Sequence, residues 1–232
     1  GMSCDFVGHP AAAEEIPSHE YIQSVLGDLN LEPSDEIISV LPGSRRAEIK
    51  RLLPVYMQAI TEIRKQRPDI KFVLPAARPV LDELNAILAS GSVPIQVLDP
   101  TEFDPLEAEK RKRALYASSR LAIATSGTIA LDLAKQRCPM VVAYKASWLT
   151  ERAVKRLALT DRANLINIVT DSYVVPELMF EKCTPLTVAD AVLDILCSKA
   201  KRVAQVKACN TAMQQLGEGD EATGLRAAKS VL

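Results

Sequence analysis

Two stretches carry most of the chemistry this sequence can do. In "VLPGSRRAEIKRLLPVY", Val40 to Tyr56, a β-branched run stops at Pro42-Gly43-Ser44, and two arginines then open a helical pattern. Gly43 lets the backbone approach a ligand closely, free amides at a helix start attract anions, and Arg45 adds a planar fork for phosphate oxygens. The same four residues serve equally well as a tight strand-to-helix turn with a solvated arginine. In "AIATSGTIALDLAKQRCPMVVAYK", Ala122 to Lys145, the turn Ser126-Gly127-Thr128 repeats the arrangement. One such turn is ordinary, whereas two on the same edge of a sheet suit a pyrophosphate approached from both sides. Asp132, one helical turn past Thr128, can accept hydrogen bonds from ribose hydroxyls, or can simply be a favourable charge in a helix's first turn. Neither G-x-x-x-x-G-K nor G-x-G-x-x-G occurs.

These turns need strands that end together. From Glu36 onward, short apolar runs (Ile37–Leu41, Ile70–Leu74, Ile95–Leu98, Leu121–Ala124, Met140–Ala143) alternate with helical patterns at about Ala47–Arg67, Val80–Ser90, Pro105–Ser118 and Ile129–Gln136. That alternation predicts an α/β fold, a doubly wound Rossmann-like parallel sheet with its ligand edge at the strands' C-terminal ends. Helical patterns follow at Trp148–Leu159, Thr187–Ala200, Lys201–Leu216 and Glu221–Val231. The expected organisation is a linker with a peripheral helix (Tyr21–Leu29) over residues 1–35, a nucleotide-binding domain over 36–200 and closing helices over 201–232. Gly1 before Met2 reads as the scar of a removed tag.

Composition narrows the class. Apolar residues make up 48% of the 232 and aromatic ones only 4%, so the core is aliphatic and suits helices packed on a parallel sheet. Twenty-eight Lys and Arg nearly balance 29 Asp and Glu, which supplies no global field for nucleic acid. The five cysteines form no C-x-x-C pair and neither histidine joins a cysteine cluster, so reduced thiols in a cytoplasmic protein fit better than zinc or disulfides. No apolar run reaches the roughly 18 residues of a membrane span. The segment "WLTERAVKRLAL", Trp148 to Leu159, has the composition of an interfacial helix on an anionic lipid surface, and equally that of a helix packed on protein. "EKRKR", Glu109 to Arg113, reads as a solvated helix face.

Taken together, "FVGHP", "LPGSRRAEIKRLLP", "ATSGTIALDLAKQRCPMVVAYK" and "NLINIVTDSYVVPEL" resemble the lipid-A-disaccharide synthases, in order from about Phe6 to Leu232. The resemblance implies one half of a GT-B-type fold. It also implies transfer of 2,3-diacylglucosamine from UDP to 2,3-diacylglucosamine 1-phosphate, a step of lipid A synthesis in Gram-negative bacteria, without metal or cofactor. In the family, the phrase matching Phe6–Pro10 follows an N-terminal half, so this chain corresponds to the C-terminal, UDP-sugar-binding half. The resemblance places nucleotide contacts at Gly43, Ser44, Arg45, Ser126, Gly127, Thr128, Asp132, Lys145, Asn167 and Glu177. Arg45 is the group stabilising the leaving pyrophosphate, and the catalytic base is expected outside this chain. Asp132 stands where the family usually has Glu. Asn167 keeps its place in Leu165-Ile166-Asn167, which reads Leu-Pro-Asn in the family. Glu177, in Pro176-Glu177, can contact ligand or cap a helix, and Lys145 can face phosphate or solvent. His9 belongs to the turn between halves. The expected location is the cytoplasm, peripheral on the inner membrane where Trp148–Leu159 is the interfacial helix, and the resemblance implies closing helices that pack on the other half or on a second chain. The rival readings are another UDP-N-acetylglucosamine enzyme of this architecture (a cell-wall transferase or a 2-epimerase) and a non-catalytic nucleotide-binding module.

Overall fold

The computed structural model describes residues 6–91, 93–146, 162–221 and 223–231. Six parallel strands, β1 (Ile37–Leu41), β2 (Lys71–Pro75), β3 (Gln96–Leu98), β4 (Leu121–Ala124), β5 (Met140–Tyr144) and β6 (Glu177–Met179), lie in the order β3-β2-β1-β4-β5-β6. This is the doubly wound order. The chain starts in the middle, works outward to β3, and returns to the other side of β1. Consequently the connections after β1 and β4 diverge, and a crevice opens between them.

The strands are buried on both faces, and alternate residues serve different helices. Ile38 and Val40 join Phe72, Leu74, Leu121 and Ile123 under α2 (Arg46–Gln66), α3 (Leu81–Ala89) and α7 (Pro185–Cys197). The opposite face packs on two sides. Ile37, Val73 and Leu98 meet α1 (His19–Asp28) and α4 (Pro105–Ser118), whereas Ala122, Ala124, Met140 and Val142 meet α5 (Ile129–Lys135) and α8 (Lys199–Gln215). In α2, Ile49, Leu52, Leu53, Tyr56, Ile60 and Ile63 recur at helical spacing and are fully buried, and Pro54 faces solvent without ending the helix. Ser39 is the polar member of β1, and its hydroxyl meets that of Ser119 at 2.8 Å.

Three elements differ from expectation. The closing helical region breaks at Ser198, whose extended backbone ends α7 and whose side chain accepts from the Lys201 amide at the start of α8. The expected boundary at residue 200 thus falls in the first turn of α8, which packs on α5 and on the short helix α6 (Leu165–Val169). Strand β6 and helix α6 were not expected, because three half-buried residues and a five-residue helix carry no readable period. The last helix, α9, covers Thr223–Val231. Trp148–Leu159, read either as an interfacial helix or as one packed on protein, lies outside the described residues, as does Cys4. Among the described residues no helix is long and apolar enough to cross a membrane.

Side chains complete the sheet where strands run out. β6 pairs with β5 only from Val142 onward, so the preceding rung is filled by Gln205 of α8. Its amide accepts from the Met140 N–H (2.8 Å) and donates to the Met140 carbonyl (3.1 Å), fully buried. At the other end of β5, the Tyr56 hydroxyl donates to the Ala143 carbonyl at 2.9 Å. The two chain ends meet on the α5 side. The Lys135 ammonium, buried, donates to the Ala12 carbonyl and to Glu218, each at 2.8 Å, and Arg137 makes two bonds to the same carboxylate (2.9 and 2.8 Å). His9 caps the turn Pro10–Ala13 through Nδ1, and its amide donates to the Leu216 carbonyl at 2.9 Å.

Replacing Gln205 by Leu keeps the volume but leaves both Met140 backbone groups buried and unpaired. Urea unfolding should show a loss of about 2–4 kcal/mol, the scale of two desolvated polar groups without partners. A change within experimental error would mean that Gln205 is not the surrogate rung.

Candidate nucleotide-binding site

A cavity of about 470 Å³ opens at the C-terminal ends of β1 to β4, over the crevice between β1 and β4. Gly43, Ser44, Arg45, Ser126, Gly127, Thr128 and Asp132 all line it. The two small-residue turns found in the sequence, with Gly43 and Gly127 84 residues apart, therefore face one space. The far wall is apolar and comes from the ends of β2 and β3: Ala76, Ala77, Leu98 and Phe103.

The first turn requires glycine twice over. Gly43 has φ +110°, and a Cβ there would lie 2.2 Å from Glu48 Oε2. The second differs: Gly127 has φ +146°, yet open space surrounds the position a Cβ would take. Its backbone is bare toward the cavity. Thr128 starts α5 without a side-chain cap, so its hydroxyl is not spent on the helix.

Asp132 lines the cavity together with Tyr116. Burial raises its pKa above the ordinary 3.8; Glu109 and Glu14 push the same way, while Lys112 and Arg113 oppose. Its charge in turn adds to the burial that pushes the Tyr116 hydroxyl well above its usual range.

Lys145, Asn167 and Glu177 are not part of this cavity. Asn167 is fully buried and spends its amide inside the protein, donating to the Val175 carbonyl (2.8 Å) and Glu177 Oε1 (2.7 Å) while accepting from the Val175 amide (3.0 Å). Glu177 Oε2 accepts from the Ala163 and Asn164 amides (2.6 and 3.1 Å), just before α6, whose N-cap residue is Asn164. Lys145 follows β5, where its charge opposes the rise that burial imposes on the Cys183 thiol.

Residues not expected from sequence also line the cavity. Glu48 bridges the first turn through the Ser44 and Arg45 amides. Glu48 stands at N3 of α2 and bonds the amide of the N-cap residue as in a capping box, but that residue is Arg45, so no Ser/Thr-x-x-Glu pattern announces it in the sequence. Arg111, read as part of a solvated face, is 6% exposed; its guanidinium stacks on Phe103 at 4.1 Å and donates to Asp28 at 2.6 Å. Thr125 is 7% exposed, and its hydroxyl and the Arg111 Nε are buried without hydrogen-bond partners among the described residues. Orphaned polar atoms in a cavity wall mark places for ligand or water atoms.

A sequence model of the lipid-A-disaccharide synthetase family matches residues 1–231. The chain belongs to this family. A lipid-A-disaccharide synthase of Ruegeria pomeroyi is 38% identical over 232 residues, covering 100% of this chain and 57% of the relative. One of Rhodospirillum centenum is 32% identical over 236 residues, covering 100% and 56%. The chain thus spans about half the length of the curated relatives it matches. Among solved structures, E. coli ADP-heptose lps heptosyltransferase II aligns with a TM-score of 0.55 at 16% identity, over 78% of this chain and 52% of that one. That likeness shows the fold, a Rossmann-like half of the GT-B kind.

The Asp132 environment makes a signed prediction. A folded-state pKa above the unfolded value means that ionised Asp132 costs stability once the pH exceeds the ordinary 3.8, and protonation relieves that cost as pH falls through the folded value. Asp132→Asn should therefore raise the melting temperature of the ligand-free protein at pH 7 by about 1–3 °C. The gain should shrink toward pH 4, and a loss of stability at pH 7 would show that Asp132 is held by a favourable contact.

Proposed function

We propose that this chain is the donor half of a lipid-A-disaccharide synthase, binding the UDP end of UDP-2,3-diacylglucosamine for transfer to 2,3-diacylglucosamine 1-phosphate. The observation that carries the proposal is the convergence of both small-residue turns on one cavity at the β1/β4 switch point. In this reading the diphosphate lies between Gly43-Ser44-Arg45 and Ser126-Gly127-Thr128. Asp132 takes the ribose hydroxyls, and the flat base rests on the apolar wall of Ala76, Ala77, Leu98 and Phe103.

Family membership sets the reaction class. An acceptor hydroxyl attacks the anomeric carbon, the bond from that carbon to the diphosphate oxygen breaks, and UDP leaves with the electron pair. The turn amides and Arg45 stabilise the charge that builds on the diphosphate, as fixed dipoles and a guanidinium do at other developing anions. Taking up the acceptor's proton is assigned to a group beyond these 232 residues, since among the described residues no histidine lines the cavity and its carboxylates have other partners or the ribose role.

UDP should raise the melting temperature by several degrees at a concentration about 100 times its Kd, because a ligand of the folded state alone stabilises by mass action. Arg45→Ala should lose most of that rise while melting normally without ligand. Equal shifts in both proteins would remove Arg45 from the site. Incubated with both acylated substrates, the 232-residue chain should form no disaccharide. Loss of a positioned base costs about 10²–10⁴ in rate, and loss of acceptor orientation costs more. Measurable product would place the base within this chain.

A further inference from the structure

The first turn of the cavity holds a carboxylate of the protein itself. Glu48 Oε2 accepts from the Ser44 and Arg45 amides at 3.2 and 3.4 Å, and Glu48 Oε1 accepts from Arg45 Nη1 at 2.9 Å. These are the donors of the first turn that the proposed diphosphate would need. The carboxylate lies so close over Gly43 that a Cβ there would meet Oε2 at 2.2 Å. The other cations of the cavity are engaged too, Arg111 by Asp28 and Glu107, and Lys112 by Glu109. Four carboxylates (Glu48, Asp99, Glu109, Asp132) against three cations (Arg45, Arg111, Lys112) make the wall slightly acidic, an awkward reception for a diphosphate. Two polar atoms of the same wall nevertheless have no partner among the described residues, the Thr125 hydroxyl and Arg111 Nε, each on a side chain more than nine-tenths buried.

We infer that Glu48 is an internal stand-in for the nucleotide's phosphate, occupying the first turn when the site is empty and leaving it when UDP binds. The inference rests on the nucleotide reading of the cavity and adds a positioning residue to it. The exchange is feasible because the Arg45 side chain is 82% exposed, which screens its pair with the 17% exposed Glu48 from the arginine's side. A diphosphate brings more charge and more acceptor oxygens than one carboxylate and displaces it. Uridine, with no phosphate, gains nothing from the exchange. Apparent affinity falls by the fraction of molecules in which the turn is open, so Glu48 weakens UDP binding. Its return to the amides also competes with the UDP left after transfer.

The ordinary alternative is that Glu48 only caps α2, and the two roles separate in Glu48→Gln. Glutamine satisfies the same capping position without the charge. UDP, inorganic pyrophosphate and uridine should each be titrated into wild type and Glu48→Gln by calorimetry, with melting curves alongside. The expected result is tightening of UDP and pyrophosphate by about 3–10-fold, unchanged uridine binding, and nearly unchanged melting, since a charged hydrogen-bonded competitor has been removed. Glu48→Asp keeps the charge but is one methylene short of the amides, and should tighten both anions by less. It carries the test if the glutamine variant does not fold. Wild type that binds UDP with no tightening in either variant, or with weakening, overturns the role of Glu48 and leaves the nucleotide reading standing. Tightening of uridine together with UDP also overturns it, because the cavity has then changed shape. If neither wild type nor variant binds UDP or pyrophosphate, both readings fall.

Discussion

The pairing of β1 with β4 is the constraint on which the rest depends. Ile38, Ser39, Val40 and Leu41 lie against Leu121, Ala122, Ile123 and Ala124. Both strands are buried on both faces, and their neighbours come from opposite halves of the chain. Parallel neighbours must be joined over the faces of the sheet, and the right-handed crossovers here lead away from the seam in opposite directions. The backbone after Leu41 and the backbone after Ala124 are thereby forced apart at one level. The Thr125 amide still bonds the Leu41 carbonyl at 2.9 Å, the last rung before the crevice. Everything above that rung is available to a ligand.

A site at such a seam inherits a problem of charge. Turn amides and an exposed Arg45 attract anions, and the nearest anions belong to the protein. Glu48 answers the first turn, Glu109 answers Lys112, and Asp28 with Glu107 answers Arg111. Each pairing steadies the empty fold, and those on the rim are weak enough to be exchanged. Arg111 is different. Buried beneath Phe103 and tied to α1 through Asp28, it holds the wall in place more than it presents charge.

The sheet was legible in the sequence because its signal is strong where burial is complete. β1 and β4 are continuous apolar runs bounded by turn residues, and their observed limits match the expected ones. The turns were legible for a related reason, since Gly43 and Gly127 both adopt positive φ in the observed backbone. What escaped was set by tertiary contact. β6 is a strand only because β5 offers it a ladder, and Gln205 looks like any polar helix residue until Met140 lies beside it. Asn167 and Glu177 carried the right residue types for a ligand, but in three dimensions they satisfy each other and the backbone of residues 163–175. Types and spacing alone cannot distinguish a polar group waiting for a ligand from one already satisfied.

The knot of Lys135, Arg137 and Glu218 has a mechanical consequence. With the Ala12 carbonyl and the His9–Leu216 bond, it fastens the segment leading into the sheet to the segment leading away from it, at one place beside α5. A force applied between residues 6 and 231 would load the bond from Arg226 to the Phe6 carbonyl and then this clasp, and the strands would bear load only after both had opened. A body attached to either lead would share one pivot, so it could swing about the clasp without shearing the β1–β4 seam.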